Sequence, residues 1–218
     1  MTKTLGLIYT APAIVDSITK TVFDIVPSVQ KFDITDNRII PVILSSGGLV
    51  PKVHRIVTNY VRIAEDEGAD AVLVTCSSIS PCVDVVRPLV SIPVFKIDDP
   101  MTDIAVEKAS KIGVVATNAA TLGPTSDLLR AKAQKKGKTI EVTTELCKGA
   151  FEALSNKDTA THDRLALEGI RRTAQTTELI VLAQASMARI IPQLGDQLKV
   201  PILTSLRSGV EQVKAVFV

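Results

Sequence analysis

The chain is expected to fold as an α/β protein of two similar, pseudo-symmetric lobes, each a mostly parallel sheet flanked by helices. Two observations lead there. Short β-branched runs alternate with helix-length amphipathic segments along the 218 residues, the pattern that parallel sheets with crossover helices produce. The chain also repeats itself at half length. Asp70-Ala71-Val72-Leu73-Val74-Thr75-Cys76-Ser77-Ser78-Ile79 and Glu178-Leu179-Ile180-Val181-Leu182-Ala183-Gln184-Ala185-Ser186-Met187 each run from an acidic residue through an apolar stretch into small residues. The register holds downstream, since Cys76 stands as far from Pro93 as Gln184 does from Pro201. Upstream, Gly6-Leu7-Ile8-Tyr9-Thr10 aligns with Gly113-Val114-Val115-Ala116-Thr117. A half-length repeat implies two lobes, with a functional site expected in the cleft between them.

Taken in order, the apolar runs predict strands near residues 4–10, 30–34, 70–76, 92–96, 111–117, 138–143, 178–184 and 200–204. Helices are expected near 13–26, 50–67, 79–89, 100–109, 121–136, 147–154, 159–175, 187–194 and 206–216. The helix from Pro51 carries Val53, Ile56, Val57, Tyr60, Val61 and Ala64 at helical spacing and stops at Gly68. Between Asp33 and Gly48, Asp36-Asn37, Pro41 and Ser45-Ser46-Gly47-Gly48 read as a long loop, either a mobile flap over a site or an ordinary surface connection. The lobe boundary falls near Asp98-Asp99-Pro100. The first lobe is then 1–98 with 205–218, carrying Cys76, and the second is 99–204, carrying Gln184.

Composition narrows the function. A hydrophobic content of 46% is enough for two cores, yet the apolar runs are strand-length and broken by charge, Pro or Gly, so no membrane span is expected. The N-terminal residues run straight into a strand without a signal-peptide pattern. Net charge is +2 and aromatics are only 3%, so nucleic acid is not an expected partner. Cys76, Cys82, Cys147, His54 and His162 form no metal-ligand spacing. An odd number of cysteines without a secretion signal points to reduced thiols in a cytoplasm. Nothing resembles a phosphate-binding glycine loop, so no nucleotide cofactor is implied. The expected assembly is a homo-oligomer.

In a parallel α/β sheet, ligands collect at the carboxyl ends of strands. Four segments fall there: Tyr9-Thr10-Ala11-Pro12, Thr75-Cys76-Ser77-Ser78, Ala116-Thr117-Asn118-Ala119 and Ala183-Gln184-Ala185-Ser186. Their backbone N–H groups and hydroxyls suit a carboxylate. Cys76, at a strand-to-helix turn, is expected to have a thiol pKa lowered towards neutrality and to act as an acid–base group or nucleophile. The bland alternative is a buried small hydrophobe.

These residues resemble the aspartate/glutamate/hydantoin racemase superfamily. The resemblance rests on Gly68-Ala69-Asp70-Ala71 before Thr75-Cys76-Ser77-Ser78, on Val94-Phe95-Lys96-Ile97-Asp98-Asp99-Pro100-Met101, and on Val181 to Ala188 in the second half. It covers nearly the whole chain and implies cofactor-independent chemistry at a carbon next to the carboxylate of a small amino-acid-like substrate. Two cysteines flank the substrate in such racemases. Cys76 matches the first, while Gln184 stands at the second, and an amide has no proton to exchange near neutral pH. Arylmalonate decarboxylase and maleate isomerase, in the same superfamily, imply single-thiol alternatives: a decarboxylase, or a cis–trans isomerase of a small dicarboxylate. A silent small-acid binding protein is the rival from another class. The resemblance carries substrate anchoring over to Thr10, Ser77, Ser78, Thr117, Asn118, Ala185 and Ser186 beside Gln184, and the alternative for each hydroxyl or amide is helix capping.

Other residues read more plainly. Cys82 and Cys147 are expected in the core, His54 on the outward face of its helix, and His162 exposed near a helix start. Lys135-Lys136-Gly137-Lys138 reads as a solvated turn.

Overall fold

A computed structural model describes residues 2–217, except for the side chains of residues 196 and 197. The chain divides into two compact units, Met1–Asp99 with Leu206–Val218, and Pro100–Ser205. Each contains a four-stranded parallel sheet.

In the first unit the strands are β1 (Thr4–Tyr9), β2 (Gln30–Thr35), β3 (Ala71–Val74) and β4 (Val94–Lys96), in the order β2-β1-β3-β4. β3 is buried along its whole length and β1 nearly so. Parallel strands covered on both faces read as unbroken apolar runs, which is why these two were legible. Between them come α1 (Val15–Ile25), α2 (Ile39–Ser45), α3 (Pro51–Asp66) and α4 (Ser80–Val86). α3 buries Val53, Val57, Val61 and Ala64, one stripe at helical spacing. It ends in a left-handed Gly68 (φ 84°), whose neighbour Ala69 donates its N–H to the Ala64 carbonyl.

The second unit begins in α5 (Asp99–Lys108) and continues through β5 (Lys111–Ala116), α6 (Ala119–Lys135), β6 (Glu141–Leu146), α7 (Ala150–Ser155), α8 (Thr159–Thr173), β7 (Leu179–Leu182) and β8 (Ile202–Thr204). Its strand order is β6-β5-β7-β8, the same path as in the first unit. Alternation sorts its core. Ile112, Val114, Ala116, Leu179 and Val181 pack with Met101, Ala105, Leu129 and Ala133. Val115, Ile180 and Leu182 point the other way, towards Ala166, Ile170, Met187 and Ile190. Each such aliphatic side chain contributes about 1.5–3 kcal/mol when fully buried. The chain returns to the first unit through α9 (Ser205–Glu211) and α10 (Lys214–Phe217).

The acidic residue opening each sequence repeat has the same structural task. Asp70 Oδ2 accepts the Thr4 backbone N–H at 2.7 Å, and Glu178 Oε2 accepts those of Ser110 and Lys111 at 2.9 and 3.1 Å. Each carboxylate ties β3 or β7 to the start of its central neighbour, β1 or β5.

Three expectations need correction. The expected loop between Asp33 and Gly48 is largely β2 and α2, with Ile39, Ile40 and Ile43 buried. Pro41 lies in the first turn of α2, where its missing N–H breaks no helical bond, so it permits the helix it seemed to exclude. β6 begins at Glu141 rather than Lys138, because its register pairs Lys111 with Glu141. The segment expected as a helix over 187–194 is a longer run of 3-10 turns, Ala185–Gln197, bent at Gly195.

The repeated glycines Gly6 and Gly113 mark close approaches to a helix. A Cβ on Gly6 would meet Ala64 Cβ at 3.1 Å, whereas one on Gly113 would overlap Thr173 Cγ2. Thr173 cannot swing away freely, since its hydroxyl donates to the Gly169 carbonyl at 2.9 Å. Gly113→Ala is therefore expected to lower unfolding free energy by about 1–3 kcal/mol, with a smaller loss for Gly6→Ala. Urea titration of both variants checks the ranking.

Candidate functional site

Parallel pairing aligns the carboxyl ends of β1 and β3. Thr75 donates its backbone N–H to the Ile8 carbonyl at 3.0 Å and its hydroxyl to the same oxygen at 2.8 Å. This fixes the chain one residue before Cys76 against the strand that leads to Thr10. Cys76 itself is extended (φ −133°, ψ 121°) and half-buried, and it precedes a three-residue 3-10 turn, Ser77–Ile79. Thr10, Ser77 and Ser78 are buried around it.

The Cys76 thiol is pushed above its ordinary value rather than below it. Burial is the main cause. The neighbouring Thr10 and Ser78 groups oppose it, and the nearby Asp98 charge adds to the rise. The expected lowering assumed a helix start at the thiol. α4 instead begins at Ser80, four residues on, and the charged neighbour is an acid. Asp98 is fully enclosed, with Ser80 Oγ donating to its Oδ1 at 2.7 Å. Burial raises its carboxyl pKa against the hydrogen bonds of Ser80 and Ser77. Sequence reasoning missed Ser80 and could not place Asp98. The one available signal was the position of Asp98 just past β4.

At the end of β2, Asp36 Oδ1 accepts from Arg38 Nε at 2.8 Å, and its Oδ2 accepts from Tyr60 Oη at 2.6 Å. Hydrogen bonding by Arg38 is the chief reason that this carboxyl lies well below the ordinary range.

The second unit repeats the frame with different chemistry. Ala183 donates its N–H to the Val115 carbonyl at 3.0 Å, holding the end of β7 against β5. Gln184 follows, as Cys76 follows Thr75. Its Oε1 accepts from the Thr117 backbone N–H at 2.7 Å, the Thr117 hydroxyl at 3.1 Å and the Asn118 backbone N–H at 3.1 Å. Two of these partners are backbone donors, so the atom facing them is the oxygen. Asn118 caps α6, its Oδ1 accepting from Ala120 N at 3.0 Å, so the capping reading holds for that side chain. Ala185 and Ser186 follow Gln184 into the 3-10 run and are half-buried.

Thr10, Cys76, Ser77 and Ser78 thus cluster in the first unit, and Thr117, Asn118 and Gln184 in the second. Cys82 and Cys147 are buried, as expected, and burial pushes their thiols up to about 12 and about 11. His54 is half-buried. His162 corrects the expectation of exposure: it is 1% exposed, its Nδ1 2.7 Å from Asp163 Oδ1. Asp163 also accepts from Arg189 and Gln193, so α8 is tied to the 3-10 run that follows Gln184. Two surface cavities of about 480 and 370 Å³ open at the amino ends of β1 and β5, away from these residues.

A model of the Asp/Glu/hydantoin racemase family matches residues 9–213. The chain belongs to that family. It is accordingly an enzyme of the racemase/isomerase class. A glutamate racemase isoform of Bacillus anthracis superposes with a TM-score of 0.78 at 17% identity, over 98% of this chain and 81% of that one. The glutamate racemase of Francisella tularensis in complex with D-glutamate gives 0.75 at 16%, over 98% and 80%. An allantoin racemase from Klebsiella pneumoniae gives 0.69 at 19%, over 98% and 87%. At these identities the likeness is one of fold. No curated protein matches the chain.

The thiolate is the species that alkylates, so the raised Cys76 pKa makes a pH profile informative. Iodoacetamide is expected to modify half-buried Cys76 ahead of buried Cys82 and Cys147. Its rate should still be climbing at pH 9, the ordinary thiol value. A plateau by about pH 7.5, where activated thiols level off, would contradict the raised pKa.

Proposed function

We propose that this enzyme acts, without a cofactor, at the carbon next to the carboxylate of a small amino-acid-like substrate, with Cys76 as its acid–base group or nucleophile. The observation that carries this reading is the half-buried Cys76 sulfur just past β3, in a cluster with buried Thr10, Ser77 and Ser78. Those hydroxyls suit a carboxylate and the charge that develops when a neighbouring carbon becomes a carbanion. Gln184, Ala185 and Ser186 form the second set of binding residues in the proposal, with Thr117 and Asn118 bonded to the Gln184 side chain behind them. The D-glutamate bound by the Francisella relative supports a small carboxylate as the ligand class. Free thiols at Cys76, Cys82 and Cys147 suit a reducing cytoplasm.

Two features favour a one-thiol version of this chemistry over two-thiol racemisation. Gln184 carries no exchangeable acid proton, and its oxygen is already engaged. Cys76, with its raised pKa, rests as a thiol and so begins a cycle able to give a proton rather than take one. In a decarboxylation, the carboxylate would leave as carbon dioxide and its bonding pair would stay on the neighbouring carbon. That carbon then takes the Cys76 proton, leaving a thiolate that Thr10 and Ser78 stabilise and water reprotonates. Cis–trans isomerisation of a dicarboxylate would instead use the thiolate as a nucleophile.

The test is solvent deuterium uptake across a panel of amino acids, hydantoins and malonates. Turnover of at least one class is expected, with Cys76→Ala slower by about 10²–10⁴. Unchanged turnover in that variant would sink the assignment.

A further inference from the structure

The sequence repeat places Gln184 where Cys76 stands in the first half, and the two ends are built alike. In the first unit, the Thr10 hydroxyl at the end of β1 faces the Cys76 sulfur. In the second, the Thr117 hydroxyl at the end of β5 faces the Gln184 side chain, and two backbone N–H groups join it. Three donors therefore converge on one oxygen that belongs to the protein itself. The other end of the amide, Nε2, has no hydrogen-bond partner among the described residues, and the Gln184 side chain is half-exposed.

We propose that Gln184 is a specificity-determining residue that closes this end of the second unit to a carboxylate. Its Oε1 is a permanent occupant of the Thr117 and Asn118 N–H groups, and what it offers a ligand is a neutral amide –NH2. A ligand binding at this end would then present a neutral hydrogen-bond acceptor to that amide. This deepens the reading of the chain as a carboxylate enzyme with its chemistry at Cys76, and rests on it.

The physical case is a competition. A carboxylate would make stronger, charge-assisted bonds to the same donors than a neutral amide does. The amide, however, is tethered at the end of β7, and a short tether supplies an effective concentration of millimolar or more. Rotating it out also gives up three hydrogen bonds at once. Thr117 and Asn118 accordingly act through Gln184, as the groups that fix its orientation, rather than on the ligand directly.

The test is NMR of the full chain with sodium acetate as the carboxylate probe. Scalar coupling across the hydrogen bonds, from the Thr117 and Asn118 amide nitrogens to the Gln184 side-chain carbonyl carbon, is expected in the wild type. Those two backbone amides should not follow acetate in the wild type. In Gln184→Ala they should follow it in a saturable titration, at least about ten-fold tighter than any residual wild-type response. Gln184→Glu keeps an oxygen among the three donors and should remain insensitive. Wild-type amides that move with acetate as those of Gln184→Ala do would overturn the proposal, as would missing couplings. If Gln184→Ala fails to fold, the wild-type couplings and Gln184→Glu still decide. No readout needs turnover, so failure here is separable from failure of the Cys76 assignment.

Discussion

The parallel register of β1 with β3, and of β5 with β7, is the constraint on which everything else in this molecule depends. Ile8 pairs with Val74 and Val115 with Leu182. Past each pair, one more backbone bond, from Thr75 to Ile8 or from Ala183 to Val115, closes the strand end. A slip of one residue would invert every side chain on a strand buried on both faces. The register is therefore held by the whole core, and with it the juxtaposition of Thr10 with Cys76 and of Thr117 with Gln184. Asp70 and Glu178 lock the opposite ends of the same pairs.

On this common frame the two ends carry different groups. A sulfur can lose a proton and regain it, and the groups around Cys76 adjust the balance. Burial and the Asp98 charge raise its pKa, while Thr10 and Ser78 work against that rise. An amide oxygen can only accept. The three donors on Gln184 hold it in place as a neutral group. The asymmetry between the units is thus a difference in what may carry charge, imposed by a single side chain on nearly identical backbone.

The sequence carried the fold class because apolar runs such as Val72–Val74 and Ile180–Leu182 belong to strands with no solvated face. It carried the candidate site through the repeat, which aligned Cys76 with Gln184 before any geometry was known. What it missed depended on tertiary context. Pro41 looked like a breaker because its position within the first turn of α2 is not visible locally. His162 looked exposed because Arg189 and Gln193, which help to enclose its Asp163 neighbour, lie far along the chain. The direction of the Cys76 shift turns on burial and on Asp98, and neither follows from the local motif. The bonds to Gln184 Oε1 were equally hidden, since sequence marks an amide without saying which of its atoms is engaged.

The most direct measurement is chiral analysis of product formed in deuterated water by the wild type and by Gln184→Cys. A lone acid–base group serves one face of a planar carbanion, so wild-type product should carry deuterium in one configuration only. A second thiol at the end of β7 should make two-way exchange appear or rise, by as much as about 10²–10⁴ in rate. Efficient two-way racemisation by the wild type would contradict this, since some other group would then be supplying the proton that Gln184 cannot.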